Sequence, residues 1–178
     1  MADITTQAAA TAPATADIAA PKSSAATPDA TPFDLIELLF FAYRDFTRDP
    51  DDILNEYGFG RAHHRVVYFV NRNPGMRVTE LLDILQITKQ SLGRVLKQLV
   101  DTGYIEQRTG RSDRRQRLLY TTEAGRALAL RLTQPQSRRI HDALRSLPPG
   151  TREIARDFLL QLINEESRPE AARLAGLT

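Results

Sequence analysis

ITKQSLGRVLKQLVDTGYIEQ (residues 87–107) runs directly into RTGRSDRRQRLLYTTEAG (residues 108–125), and the reading of this stretch decides the fold. Leu92, Val95, Leu96 and Leu99 recur at three- and four-residue intervals, which places them on one buried face of a helix. Lys89, Gln90, Arg94 and Lys97 occupy the opposite face, where they present hydrogen-bond donors. Gly103 ends that helix. Two strand-length runs follow, residues 104–108 and 116–120, separated by a turn that holds Arg111, Arg114 and Arg115. Between Gln86 and Tyr120 eight Lys or Arg stand against three Asp or Glu, a concentration of positive charge suited to a polyanion.

Upstream, Val78, Leu81, Leu82 and Leu85 mark a short helix. A turn at Gln86 and Ile87 leads to Thr88, a residue type that caps helix N-termini well. Two short helices joined by a tight turn, the second basic on its outer face, form a helix-turn-helix, and the hairpin after them makes it a winged variant. The spacing therefore predicts a mainly α fold: a winged helix-turn-helix with a two-stranded wing, completed by a helical dimerisation region built from the first and last helices.

The flanks supply that region. FDLIELLFFAYRDFTR (residues 33–48) carries Phe33, Ile36, Phe40 and Tyr43 on one stripe, widened by Leu35, Leu39 and Phe46. A helix apolar around so much of its circumference needs burial on more than one side, which in a small domain points to a partner subunit. Residues 49–60 read as a loop, and residues 61–71 as a helix ended by Asn73-Pro74-Gly75. Thr122 caps a helix that Pro135 is expected to interrupt or kink. Pro148-Pro149-Gly150 breaks the chain before a last helix over residues 151–166, with Ile154, Phe158, Leu159 and Leu162 as its apolar stripe. The expected divisions are a tail at 1–31, a dimerisation helix and loop at 32–60, the DNA-binding domain at 61–122, linking and dimerisation helices at 123–167, and a frayed tail at 168–178.

Composition narrows the function. Net charge is only +2, but it is unevenly spread: Phe33 to Glu56 holds two Arg against seven acidic residues. That asymmetry suggests one face for a polyanion and another for something else. There is no cysteine, so disulfides, cysteine-based zinc sites and thiol nucleophiles are excluded, and an intracellular protein fits. No run is apolar for long enough to span a bilayer. Residues 1–31, rich in Ala, Thr, Pro and Ser, lack a basic start and an apolar run, so they are expected to be a disordered tail rather than a secretory signal.

Catalytic chemistry finds no footing, since there is no glycine-rich phosphate loop and no strand-borne Ser/His/Asp arrangement. Asp49, Asp51 and Asp52 lack the Gly and distal Glu of a calcium loop. His63 and His64 are adjacent, so on a helix they point about 100° apart and do not chelate jointly. With His141 the only other histidine, no metal or cofactor is expected.

The ordered set of a helix-turn-helix, Gly103-Tyr104-Ile105 opening the wing, Asp113-Arg114-Arg115 at its tip and Thr122-Glu123-Ala124-Gly125 starting the next helix resembles the MarR family of winged-helix transcription regulators. The resemblance spans Phe33 to about Glu166. It implies a bacterial, cytoplasmic homodimer whose recognition helices enter successive major grooves of a pseudo-palindromic operator, with repression the commoner outcome. Two-fold symmetry would space those helices one turn of DNA, about 34 Å, apart. Thr88, Lys89, Gln90, Ser91, Arg94 and Lys97 are the expected contacts from the helix. Gln90 and Arg94 suit bases, while Lys89, Ser91 and Lys97 suit phosphates. Arg111, Asp113, Arg114 and Arg115 are those of the wing, Asp113 acting as the stabilising acid beside a minor-groove arginine. The resemblance also places a small-molecule effector crevice near the helix at 61–71, where Tyr43, His63, His64 and Arg65 would meet an anionic or aromatic ligand. The sequence departs from the family pattern at Thr121, where an aliphatic is common, and at Pro135. The alternative is a winged-helix protein-interaction module without sequence-specific DNA binding.

Overall fold

A computed structural model describes residues 31–110 and 115–177. The expected tail at 1–31 falls outside these residues apart from Thr31. So do Arg111, Asp113 and Arg114 of the wing tip.

The chain is built from seven α-helices and three short strands among the described residues: α1 (Phe33–Asn55), α2 (Arg61–Arg72), β1 (Met76–Arg77), α3 (Val78–Leu85), α4 (Lys89–Asp101), β2 (Ile105–Thr109), β3 (Arg117–Thr121), α5 (Glu123–Arg145), α6 (Thr151–Leu162) and α7 (Arg168–Leu174). The core centres on α2, whose Val66, Val67 and Val70 are fully buried. Leu81 and Leu85 of α3, the four apolar residues of α4, Ile105, Leu119, and Leu128 and Leu132 of α5 close around them.

The strands form one antiparallel sheet in the order β1-β3-β2, with Ile105 opposite Thr121 and Thr109 opposite Arg117. Sequence reading set the wing strands one residue early and missed β1, which is too short to show alternation. β1 exists because Gly75, at φ +86°, turns the chain so that its N–H reaches the Leu119 carbonyl at 2.8 Å. The wing hairpin is thereby sewn to the base of α3.

Several boundaries correct the sequence reading. The segment 49–60 is not a loop: α1 continues through Pro50 to Asn55, leaving residues 56–60 as the connection. Proline has no N–H for the carbonyl four residues back, that of Phe46. Gln136 of α5 donates to that oxygen instead, at 3.2 Å, and Pro50 is buried. Nor is α5 interrupted at Pro135. It runs unbroken from Glu123 to Arg145, held by Leu128 and Leu132 before the proline and by the Gln136–Phe46 contact after it. The last predicted helix ends at Leu162 rather than 166, and a single 3₁₀ turn at Glu165–Ser167 leads into α7. Residues 168–174 are therefore helical, not frayed. Arg168 ties this segment back by donating to the Ile163 carbonyl at 3.1 Å.

Among the described residues, two helical arms keep apolar faces exposed. On the first half of α1, Phe33 (67% exposed), Phe40 (63%) and their apolar neighbours all face outward, as do Ile154 (71%), Phe158, Leu159 and Leu162 of α6. Contiguous exposed apolar patches of this kind are uncommon on the surfaces of monomeric proteins. No helix among the described residues is long and apolar enough to cross a membrane.

Candidate nucleic-acid interface

The interface is assembled from α3, α4 and the β2–β3 hairpin. Each element is held by local chemistry legible in its sequence. At the start of α3 the Glu80 carboxylate accepts from its own N-cap, Arg77 N–H at 2.6 Å, and from the Arg77 guanidinium at 2.9 Å. These bonds hold the Glu80 pKa below the usual carboxylate value, the guanidinium contact being the larger cause. The turn of the helix-turn-helix rests on Gln86, which adopts φ +49°, the only left-handed non-glycine residue among those described. Its N–H closes the last turn of α3 on the Leu82 carbonyl.

Thr88 then caps α4: its hydroxyl accepts from Ser91 N–H at 3.1 Å and donates to Ser91 Oγ at 2.9 Å. Leu92, Val95, Leu96 and Leu99 point inward and are buried. Lys89, Gln90, Arg94 and Lys97 are all exposed. Gln90, Arg94 and Lys97 share one strip along α4, because positions three and four apart align. Thr88 and Ser91 sit at its N-terminal edge, and Ser91 retains its hydroxyl hydrogen for an outside acceptor. Lys97 pairs with Asp101 one turn on, but that pair is open to solvent and is worth little against a phosphate.

Beside the strip stands the hairpin. Of its four expected contacts only Arg115 lies within the described residues, exposed on the return strand side. Two further cations escaped the sequence reading. Arg108 lies over the Tyr120 ring at 4.3 Å and pairs with Glu106. Arg117 donates to Thr109 Oγ1 at 2.9 Å across the hairpin. The signal for both was present, since each falls on a strand flanking the arginine-rich turn.

The joint between hairpin and α5 explains the Thr-Glu-Ala-Gly run. Thr122 Oγ1 accepts from Gly125 N–H at 3.0 Å and donates to the Gly103 carbonyl at 2.6 Å. A Cβ at Gly125 would lie 2.0 Å from the Tyr104 carbonyl oxygen, so only glycine permits this approach. Thr121, the departure from an aliphatic, is buried and donates to Asn71 Oδ1 at 3.3 Å, which satisfies the hydroxyl.

The four residues expected around an effector do not converge. His64 and Arg65 line a cleft of about 830 Å³ where α2, α5, α6 and α7 meet, together with His141, Arg152 and Arg156. Among the described residues no carboxylate lines it, and its remaining wall is largely apolar. Burial holds the His64 pKa below the ordinary histidine value. His63 turns the other way, toward α4, and Tyr43 lies out on α1 beside Arg61.

A MarR family model matches residues 57–116, from the connection after α1 into the wing. The HTH-type transcriptional regulator PetP of Rhodobacter capsulatus is 51% identical over 114 residues, which are 64% of this chain and 69% of that protein. Among solved structures, that of MarR covers 84% of this chain and 97% of its own, at 24% identity and a TM-score of 0.56. Streptococcus pneumoniae FabT in complex with DNA superposes with a TM-score of 0.65 at 16% identity, over 73% of this chain and 93% of that one. The two structural likenesses bear on the fold.

Proposed function

The chain belongs to the MarR family of helix-turn-helix transcriptional regulators, and from that premise we propose that it acts in the cytoplasm as a homodimer on a pseudo-palindromic operator. The observation that carries this reading is the exposed Gln90–Arg94–Lys97 strip on a helix whose opposite face is wholly buried, set beside an arginine-rich hairpin. Gln90 and Arg94 can each form two hydrogen bonds to a base edge in the major groove. Lys89, Ser91 and Lys97 hold phosphates, as do Arg108 and Arg117. The wing tip, Arg111, Asp113, Arg114 and Arg115, reaches the neighbouring minor groove.

Dimerisation is supported by the apolar faces of α1 and α6, which lie far apart in the chain and stay exposed among the described residues. Joining two copies through them aims two strips at successive turns of a duplex. Regulation is steric, and a small amphipathic anion in the cationic cleft at His64 and Arg65 changes the separation of the two heads.

The test is the salt dependence of binding to a duplex recovered by the full-length protein from a random-sequence pool. Affinity should fall steeply as salt rises, since each contacted phosphate releases counterions. Arg94→Ala should narrow the gap between the recovered duplex and a scrambled one, while Arg117→Ala weakens binding to both alike. Weak binding that ignores salt would instead favour a protein-interaction module.

A further inference from the structure

His63 stands at the third position of α2 and makes contacts that the DNA-reading elements do not account for. Gly60 N–H lies 3.1 Å from Nδ1. A backbone amide can only donate, so Nδ1 is the unprotonated nitrogen and the ring hydrogen sits on Nε2. Nε2 lies 2.9 Å from Gln98 Oε1 on α4 and donates to it. The amide of Gln98 is thereby orientated with its oxygen inward and its NH₂ outward. Gln98 is one turn below Arg94, on the same flank of the helix.

The ring is also held on one face. It lies parallel on Phe59, with centroids 4.7 Å apart and planes within 6°. Phe59 is buried, stacks on Tyr57 and meets Tyr104 edge-on. Tyr57 accepts a hydrogen bond from Arg131 of α5 at 2.6 Å, and the same guanidinium grips both oxygens of Glu56 at 2.8 Å. Contacts therefore run without a gap from α5, through the connection that leaves α1, to one imidazole and on to the reading helix.

We propose that His63 is a positioning residue for DNA recognition: it fixes α4 against the connection between α1 and α2, through Gln98, so that the reading strip follows any shift of the dimerisation helices. This rests on the reading of α4 as the recognition helix. It goes beyond that reading by giving specificity a determinant that touches no base. His63 is also a local cap for α2, through Gly60, and the two roles can be separated. Asparagine places an acceptor where Nδ1 stands but cannot reach Gln98. Glutamine places a donor where Nε2 stands but offers no acceptor at Nδ1.

The experiment uses the full-length protein and the recovered duplex with its scrambled control. His63→Asn and His63→Gln both lose the ring on Phe59 but only Asn keeps the cap, so His63→Asn should melt higher than His63→Gln yet lose about five-fold in discrimination between the duplexes, in the range of coupled contacting pairs. His63→Gln should melt lower and keep its discrimination. Gln98→Ala should match His63→Asn, and the double variant should lose no more than either alone. Wild-type discrimination in His63→Asn, or losses that add, would overturn the proposal. Two readouts need no DNA, so a failure to recover any duplex is charged to the reading of α4 alone. Nitrogen chemical shifts should show Nδ1 unprotonated, and amide exchange around Gln98 should be faster in His63→Asn than in His63→Gln. The opposite tautomer, or equal exchange, overturns it as well.

Discussion

The reading head and the terminal arms of this chain solve the problem of burial in opposite ways. In the head, from α2 to the start of α5, the N-termini of α3, α4 and α5 are closed by nearby side chains: Glu80 on the N–H of Arg77, Thr88 on Ser91, Thr122 on Gly125. Its apolar residues are covered by one another, and Leu81, Leu99 and Leu119 have no solvent exposure. The arms keep their apolar side chains outside. Eight large apolar or aromatic residues between Phe33 and Tyr43 are each about half exposed or more. A head closed on itself and arms with their apolar faces open is the division that the proposed homodimer on a symmetric site would use.

That contrast can be broken from either side. The largest effect should come from Phe40→Asp in the arm. Burying such a side chain is worth about 1.5–3 kcal/mol, and a buried unpaired charge adds to the loss, so a two-fold interface should weaken by at least about 3 kcal/mol. Sedimentation velocity should show monomers while the head keeps its helix content. A variant that sediments as the wild type does would remove α1 from the interface.

Gly125→Ala attacks the head instead. With a methyl group forced against the Tyr104 carbonyl, the joint between hairpin and α5 must open, at a cost of about 3 kcal/mol. Denaturant unfolding measures it, and a loss under about 1 kcal/mol would mean that the backbone yields easily there. Smaller again is loss of a cap. Thr122→Ala, which also releases the Gly103 carbonyl, should cost about 1–2 kcal/mol, and Thr88→Ala about 1 kcal/mol.

The gentlest probe is pH, applied where head and arms meet. Burial depresses the His64 pKa, so the unfolded chain takes up a proton at a higher pH than the folded one. Its contribution to stability is fully present above the unfolded value, about 6.5, and declines as pH falls below it. Replacing His64 with Gln should flatten that part of the stability–pH curve, read from thermal melts between pH 7 and 5. An amphipathic carboxylate bound in the cleft should restore stability most at the acid end of the range.

Legibility in the sequence followed the range of the forces involved. The α3–turn–α4 unit was readable to the residue, because Thr88, the apolar spacing of α4 and Gly103 act within a turn or two of themselves. The exposed strip was readable for the same reason: once four residues of α4 are buried, the positions opposite them have to face out. His63 was not. As a sequence it was one of two adjacent histidines near an expected crevice, and only folding turned it away from His64 and against Gln98, 35 residues further on. Arg108 and Arg117 take their places only from the strand register and the Arg117–Thr109 contact across the hairpin, which no local pattern encodes.

The length of α1 shows the boundary most clearly. Pro50 and three aspartates within four residues argued locally for a loop, and by local rules that argument is sound. The sequence alone settled the helix-turn-helix, the hairpin and the charge they carry, since periodicity and capping depend on neighbours along the chain. Tertiary structure decided whether α1 crosses its proline and whether α5 crosses Pro135. A carbonyl stripped of its helical donor has to be met by another group or by water. For Phe46 that group is Gln136, 90 residues away in the chain and brought within hydrogen-bond distance only by the packing of α5 on α1.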